Sequence, residues 1–314
     1  MAGRPPGPSP AAPIGPPPDL AASVAGEEDP GASLDLSLPT ASAAAPPRLP
    51  DAAAATPDPM PPRQKLETRA GWLEYTLSGH GPATIVLFNG AGVTLDGWQA
   101  LYPEIESIGR VFAWNRFGLQ GSDEPPPLQD GELIVASVRE LMAQAGLRPP
   151  YVLVGHSLGG LHANLFARLH PDEVAALLLI EATHPRDDEV LQQDASQLSR
   201  GLAKVLAEPP EQFEANLRAE LEAAPETVQQ VRTAGPFPRV PVAVISGAME
   251  PPKSLLPPDA AQARQARQEA LARLSPDGEH VIAARSGHFP QRSEPELVLA
   301  VLRRLIERAL PPAP

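Results

Sequence analysis

The sequence predicts an α/β protein: a mostly parallel central sheet with helices on both faces, preceded by a Pro/Ala-rich tail. Three observations carry the prediction. Short, continuous apolar runs alternate with amphipathic helical patterns from about residue 84 onward. One stretch, 185–238, interrupts that alternation with helical patterns alone. And 17 of the 42 prolines fall in residues 1–62, so composition divides the chain in two.

Residues 1–62 hold two arginines, seven acids, no aromatic residue and no apolar periodicity. Such a segment buries too little apolar surface to offset the entropy of ordering it, and it reads as a disordered, locally polyproline-like tail. Residues 63–314 suit one domain. Within it, 64–79 alternates around a glycine as a hairpin does. The segments TIVLFNG (84–90), GRVFAWNR (109–116), YVLVG (151–155), VAALLLIE (174–181), VPVAVISG (240–247) and HVIAARSG (280–287) follow. Most are continuous rather than alternating, as strands buried on both faces require. Helical patterns lie between them at 95–108, 131–146 and 158–170, and close the chain at 293–310, where Leu297, Val301, Leu305 and Ile306 share a face. Between the fourth and fifth of these core strands, Phe213, Leu217 and Leu221 recur at helical spacing. An insertion there lies over the carboxyl edge of the sheet, where open α/β sheets bind ligands, so 185–238 reads as a helical lid.

Composition excludes several functions. The chain has no cysteine, which removes disulfide scaffolds, thiolate metal sites and cysteine nucleophiles. A net charge of -13 is unsuited to phosphate neutralisation, so no nucleic-acid partner is expected. The longest apolar run, Val174 to Ile180, is about a third of the roughly 20 residues that span a bilayer, so no membrane span is expected. The first residues lack the cationic start and apolar stretch of a signal peptide; with the absence of cysteine, this points to the cytoplasm.

The chemistry concentrates at Gly155-His156-Ser157-Leu158-Gly159-Gly160. Chance places G-x-S-x-G about 0.1 times in a chain of this composition. Here it follows the strand YVLV and opens the helix LGGLHANLFARLH, the context of a nucleophile elbow. Small residues at 155 and 159 let the flanking backbone close on a strained turn, and the hydroxyl stands at a helix N-terminus whose N–H groups favour developing negative charge.

With this motif the chain resembles the α/β-hydrolase fold superfamily, its serine hydrolase and esterase branch, over about residues 66–310. FNGAG (88–92) stands where that family carries its oxyanion loop, WNRFGLQGSD (114–123) resembles its D-R-x-G-x-G-x-S element, and SGHFPQRSEPELV (286–298) resembles the loop bearing its catalytic histidine. The chain departs at Asn89, Asn115 and Gln120, where the family usually has His, Asp and Gly. The resemblance implies Ser157 as nucleophile and His288 as its base, in the chain order Ser, acid, His. It leaves two acids open. Glu250 stands three residues past Gly247, at the family's usual acid position with Glu for Asp; Glu181 ends the run VAALLLIE, at the alternative position of some relatives. The backbone N–H groups of Leu158 and Ala91 are the implied oxyanion hole. Arg116, Ser122 and Asp123 are expected to brace loops.

The function expected is hydrolysis of a small-molecule ester, thioester, lactone or amide through an acyl-enzyme on Ser157, with no metal and no organic cofactor. Carboxylesterase comes first; peptidase, carbon–carbon hydrolase and haloperoxidase chemistries stay open, since fold does not fix chemistry. The alternative is a non-catalytic binding module of the same fold that uses its Pro-rich tail.

Overall fold

The computed structural model describes residues 60–186, 211–249 and 258–310. Residues 1–59, nearly all of the expected tail, lie outside them, as do 187–210 of the expected lid and Glu250 among the expected site residues.

Among the described residues, eight strands form one sheet: β1 (Gln64–Thr68), β2 (Gly71–Ser78), β3 (Thr84–Phe88), β4 (Arg110–Trp114), β5 (Tyr151–His156), β6 (Val174–Ile180), β7 (Val242–Gly247) and β8 (Glu279–Ala283). Their order is β1-β2-β4-β3-β5-β6-β7-β8. β2 pairs antiparallel with β1 and with β4, and every other pairing is parallel. The β1–β2 turn has Gly71 at φ +137°, a conformation that side chains disfavour, and Thr68 Oγ1 donates to the Gly71 carbonyl at 2.8 Å.

Among the described residues, seven helices accompany the sheet: α1 (Tyr102–Glu106), α2 (Gly131–Gln144), α3 (Leu158–Leu169), α4 (Glu211–Thr233), α5 (Pro258–Ala272), α6 (Pro290–Ser293) and α7 (Pro295–Ala309). One core joins the sheet to α2, α3 and α4 through Leu141, Phe166, Leu217 and Val228; the other joins the opposite face to α1 and α7 through Tyr102, Ile105, Val301 and Leu305. With both faces covered, every residue of β5 and β7 is buried, which is why their sequences are apolar without alternation. α2 begins where Asp130 accepts from the Leu133 N–H at 2.9 Å, an N-cap that satisfies a free amide of the first turn. Met60, within the expected tail, is already buried in the second core, and the Pro61 carbonyl accepts from Thr76 Oγ1.

One helical pattern resolves differently from its periodicity. The expected helix over 95–108 is a 3-10 turn at Leu95–Trp98 followed by the short α1, with Pro103 in its first turn. A proline has no N–H to continue a helix from the preceding turn, so the chain restarts there.

The strand order fixes where a site can lie. β3 sits between β4 and β5, so the chain leaves β3 toward one side and reaches β5 on the other. The loops at their carboxyl ends diverge and open a crevice at that switch point. Among the described residues, no helix is long and apolar enough to cross a membrane.

Candidate active site

Ser157 stands at the crevice, between β5 and α3. Its backbone has φ +51° and ψ -124°, outside the ordinary range of L residues, a conformation costing of order 1–3 kcal/mol that a surrounding structure must enforce. Three bonds do so: Ser157 N–H donates to the Ile180 carbonyl at 3.1 Å, and its own carbonyl accepts from Gly160 and Thr183 N–H at 2.9 and 3.0 Å. The turn closes only because its neighbours lack side chains. A Cβ on Gly159 would stand 2.4 Å from the carbonyl oxygens of Phe88 and Asn89, and one on Gly155 2.6 Å from the Gly160 Cα.

His288 comes from the loop after β8. Its Nε2 lies 3.0 Å from Ser157 Oγ, and its Nδ1 lies 3.4 Å from Glu181 Oε2. With Nδ1 protonated, the ring donates to Glu181 and accepts from the serine hydroxyl. The loop is held by Glu294, whose Oε2 accepts from Arg285 N–H and Ser286 Oγ at 2.8 and 2.6 Å. Glu181 follows β6 at φ +47°, and its side chain is 1% exposed. Its Oε1 accepts from the Gly247 N–H at 2.7 Å and its Oε2 also pairs with Arg264 of α5. Arg264 donates besides to the Gly247 carbonyl at 3.0 Å, tying the β6 and β7 ends together. Burying a carboxylate is costly unless it is paired and hydrogen-bonded, and these contacts do both.

Beside the serine, His156 is buried. Burial first, and the neighbouring His288 second, push its pKa down to about 3. It is therefore a neutral ring, and its Nε2–H donates to the His288 carbonyl at 2.7 Å. Its ring lies 4.9 Å from those of both His288 and Phe289. Burial also holds His162 of α3 well below the ordinary histidine value, with Arg116 adding to the effect.

The loop after β3 forms the other wall. Gly90 abuts the serine: a Cβ there would lie 3.3 Å from Ser157 Cβ and 2.9 Å from His156 Nδ1. The N–H groups of Ala91 and Leu158 make no hydrogen bond among the described residues. The residues at which the sequence departs from the family pattern it resembles brace this loop. Asn89 donates to the Trp114 carbonyl at 2.9 Å and accepts from Trp98 Nε1 at 2.6 Å. Asn115 accepts from the Leu95 N–H and donates to Glu74 Oε2, each at 2.7 Å, and donates to Gln120 Oε1 at 3.1 Å. Ser122 and Asp123 accept from the backbone of β2, at Glu74 and Trp72.

Known proteins share this fold. A sequence profile described as alpha/beta hydrolase fold matches residues 83–227. The chain is similar to the uncharacterized protein YbdG of Bacillus subtilis, 24% identical over 110 residues, which is 34% of this chain and 34% of that protein. It thus spans about a third of that relative's length. In three dimensions it is similar to a thermophilic esterase from Thermogutta terrifontis, with a TM-score of 0.57 at 22% identity over 79% of this chain and 99% of the other. It is also similar to an enol-lactonase from Burkholderia xenovorans LB400, with a TM-score of 0.62 at 19% identity over 77% and 99%. The chain has the α/β-hydrolase fold.

This fold brings Ser157, His288 and Glu181 into one hydrogen-bonded row, with Leu158 next to the serine in the chain and Gly90, the neighbour of Ala91, against it. Glu250 lies outside the described residues. Three residues beyond the sequence reading also touch the site: His156 on the histidine loop, Arg264 on the buried glutamate, and Glu220 on the loop after β3. Glu220 carried a legible signal, since it falls on the apolar stripe Leu217, Leu221, Ala224, Val228, Val231 of α4. Arg264 carried none, because α5 is a run of Ala, Gln and Arg without an apolar stripe.

Proposed function

We propose that this α/β-hydrolase is a serine hydrolase that cleaves a small-molecule ester, thioester, lactone or amide through an acyl-enzyme on Ser157. One observation carries the reading: Ser157 Oγ lies 3.0 Å from His288 Nε2, with the buried carboxylate of Glu181 behind Nδ1. A serine hydroxyl is a weak nucleophile until a base removes its proton, and this geometry supports His288 as that base and Glu181 as its orienting acid.

In the first half-reaction His288 takes the Ser157 proton as Oγ attacks the substrate carbonyl carbon. The carbonyl π pair moves to oxygen, and the Leu158 and Ala91 N–H groups hold that oxyanion. The oxyanion collapses, the bond to the leaving group breaks, and His288 gives its proton to the departing atom. In the second half, water attacks the acyl-enzyme with His288 again as base, releasing the acid and restoring Ser157. Glu181 holds the Nδ1 proton and stabilises the imidazolium throughout. These steps draw on protein groups and water alone.

In this reading 63–314 is the catalytic domain, 185–238 its lid with α4 as the described part, and Glu181 rather than Glu250 the triad acid. The printed names of the structural neighbours, an esterase and an enol-lactonase, support an ester-type carbonyl, and carboxylesterase activity comes first. Hydrolysis of p-nitrophenyl esters of graded acyl length by the wild type and by Ser157→Ala tests the proposal. A rate that Ser157→Ala abolishes, with fluorophosphonate labelling lost in parallel, is expected; equal rates for both proteins reject it.

A further inference from the structure

We propose that Glu220 is a positioning residue for this reaction, acting through Arg116 to aim the Ala91 N–H at the oxyanion. The inference rests on the serine-hydrolase reading and adds a residue that takes no part in the steps above.

Glu220 sits on α4, more than 100 residues along the chain from the loop it serves. Its side chain is 2% exposed and that of its partner Arg116 is 1% exposed. The pair is bidentate: Arg116 Nε meets Glu220 Oε1, and Nη2 meets Oε2 at 3.0 Å. Both partners then reach the loop after β3. Arg116 Nη1 donates to the Asn89 carbonyl and Nη2 to the Gly90 carbonyl, each at 2.7 Å. Glu220 Oε2 accepts from the Gly92 N–H at 2.7 Å. Three residues of the loop, Asn89, Gly90 and Gly92, are therefore gripped by the ion pair.

The peptide unit converts that grip into a direction. The Gly90 carbonyl and the Ala91 N–H belong to one planar trans amide, in which C=O and N–H point opposite ways. Arg116 and the Val93 N–H hold the carbonyl, so the Ala91 N–H is turned away from them and has no partner among the described residues. Gly90, which begins that unit, lies against Ser157, since a Cβ built on it would stand 3.3 Å from Ser157 Cβ. The guanidinium fork is suited to this task because its five donors lie in one rigid plane. Glu220 in turn holds the fork, and without it a buried cation would be free to rotate toward other acceptors. A buried ion pair is a weak source of stability, because apolar residues of similar volume often serve as well. What it supplies here is geometry.

The test uses Glu220→Gln, close in volume but uncharged, which puts an N–H donor where one carboxylate oxygen now accepts. Arg116→Lys, which keeps the charge but replaces the fork by a point donor, gives the same test should Glu220→Gln not fold by circular dichroism. Rates are expressed per active site, counted by complete fluorophosphonate labelling. The loss of one aimed oxyanion donor is expected to lower kcat by 10²–10³-fold. KM should stay within about threefold of the wild type, because the bond is made in the transition state and not in the ground state. Affinity for a trifluoromethyl ketone, whose serine adduct carries the same oxyanion, should fall by the same factor as kcat/KM. A folded variant with wild-type kcat, or one whose loss lies in KM with ketone affinity intact, overturns the proposal. A wild type whose activity survives Ser157→Ala overturns the serine-hydrolase reading instead, and the two failures are distinct.

Discussion

Acidification should destabilise this protein through His156, and the size of the effect follows from its burial. An unfolded chain protonates this histidine near its ordinary value of 6.5, whereas burial in the folded protein delays protonation to about 3. Between those values the unfolded state binds a proton that the folded state refuses, so stability is complete above about 6.5 and drains away as pH falls. One such group removes somewhat over 1 kcal/mol per pH unit. From pH 7 to pH 4.5 that amounts to roughly 3 kcal/mol, a large share of the 5–15 kcal/mol typical of a folded domain. The perturbation is His156→Gln, whose amide can still donate to the His288 carbonyl but does not titrate. Urea unfolding of both proteins at several pH values gives their difference in stability. Carboxylates and the other histidines titrate in both proteins and cancel in that difference. The difference should move in favour of the variant by about 3 kcal/mol between pH 7 and pH 4.5. A difference independent of pH would refute the argument, because it would mean that His156 gains its proton as readily folded as unfolded.

Two further outcomes follow. Glu181→Gln should lower kcat by on the order of 10⁴, the cost of the corresponding acid-to-amide change in known triads, while Glu250→Gln stays near wild type; kinetics on a p-nitrophenyl ester separate the two, and the reverse ranking would return the acid role to Glu250. Asn89→Ala removes the partners of the Trp114 carbonyl and of Trp98 Nε1 inside the core. Two orphaned polar groups should cost roughly 2–5 kcal/mol, read as a drop in Tm of several degrees, and an unchanged Tm would mean that Asn89 braces nothing.

The parts of this structure written in the sequence are those set over a short stretch of chain. The apolar runs of β3 to β7, the hairpin of β1 and β2, and the strand-to-helix turn at Ser157 depend on residues a few positions apart, and periodicity reports them. The break at Pro103 and the helix α5 escaped it. The first turns on a missing N–H rather than on hydrophobicity. The second is helical through the propensity of Ala, Gln and Arg with little apolar face to show. The departures Asn89, Asn115 and Gln120 looked like losses against the family pattern, yet each is spent on a hydrogen bond that braces a loop.

By itself, then, the chain determined its alternating architecture, the serine on its strained turn and the histidine near its end. The tertiary structure decided which described carboxylate meets that histidine, 107 residues away, and which buried glutamate grips the loop beside the serine. The physical reason is distance along the chain. Strands and turns form from neighbours, but a charge can be buried only where the order of the strands brings its partners to it.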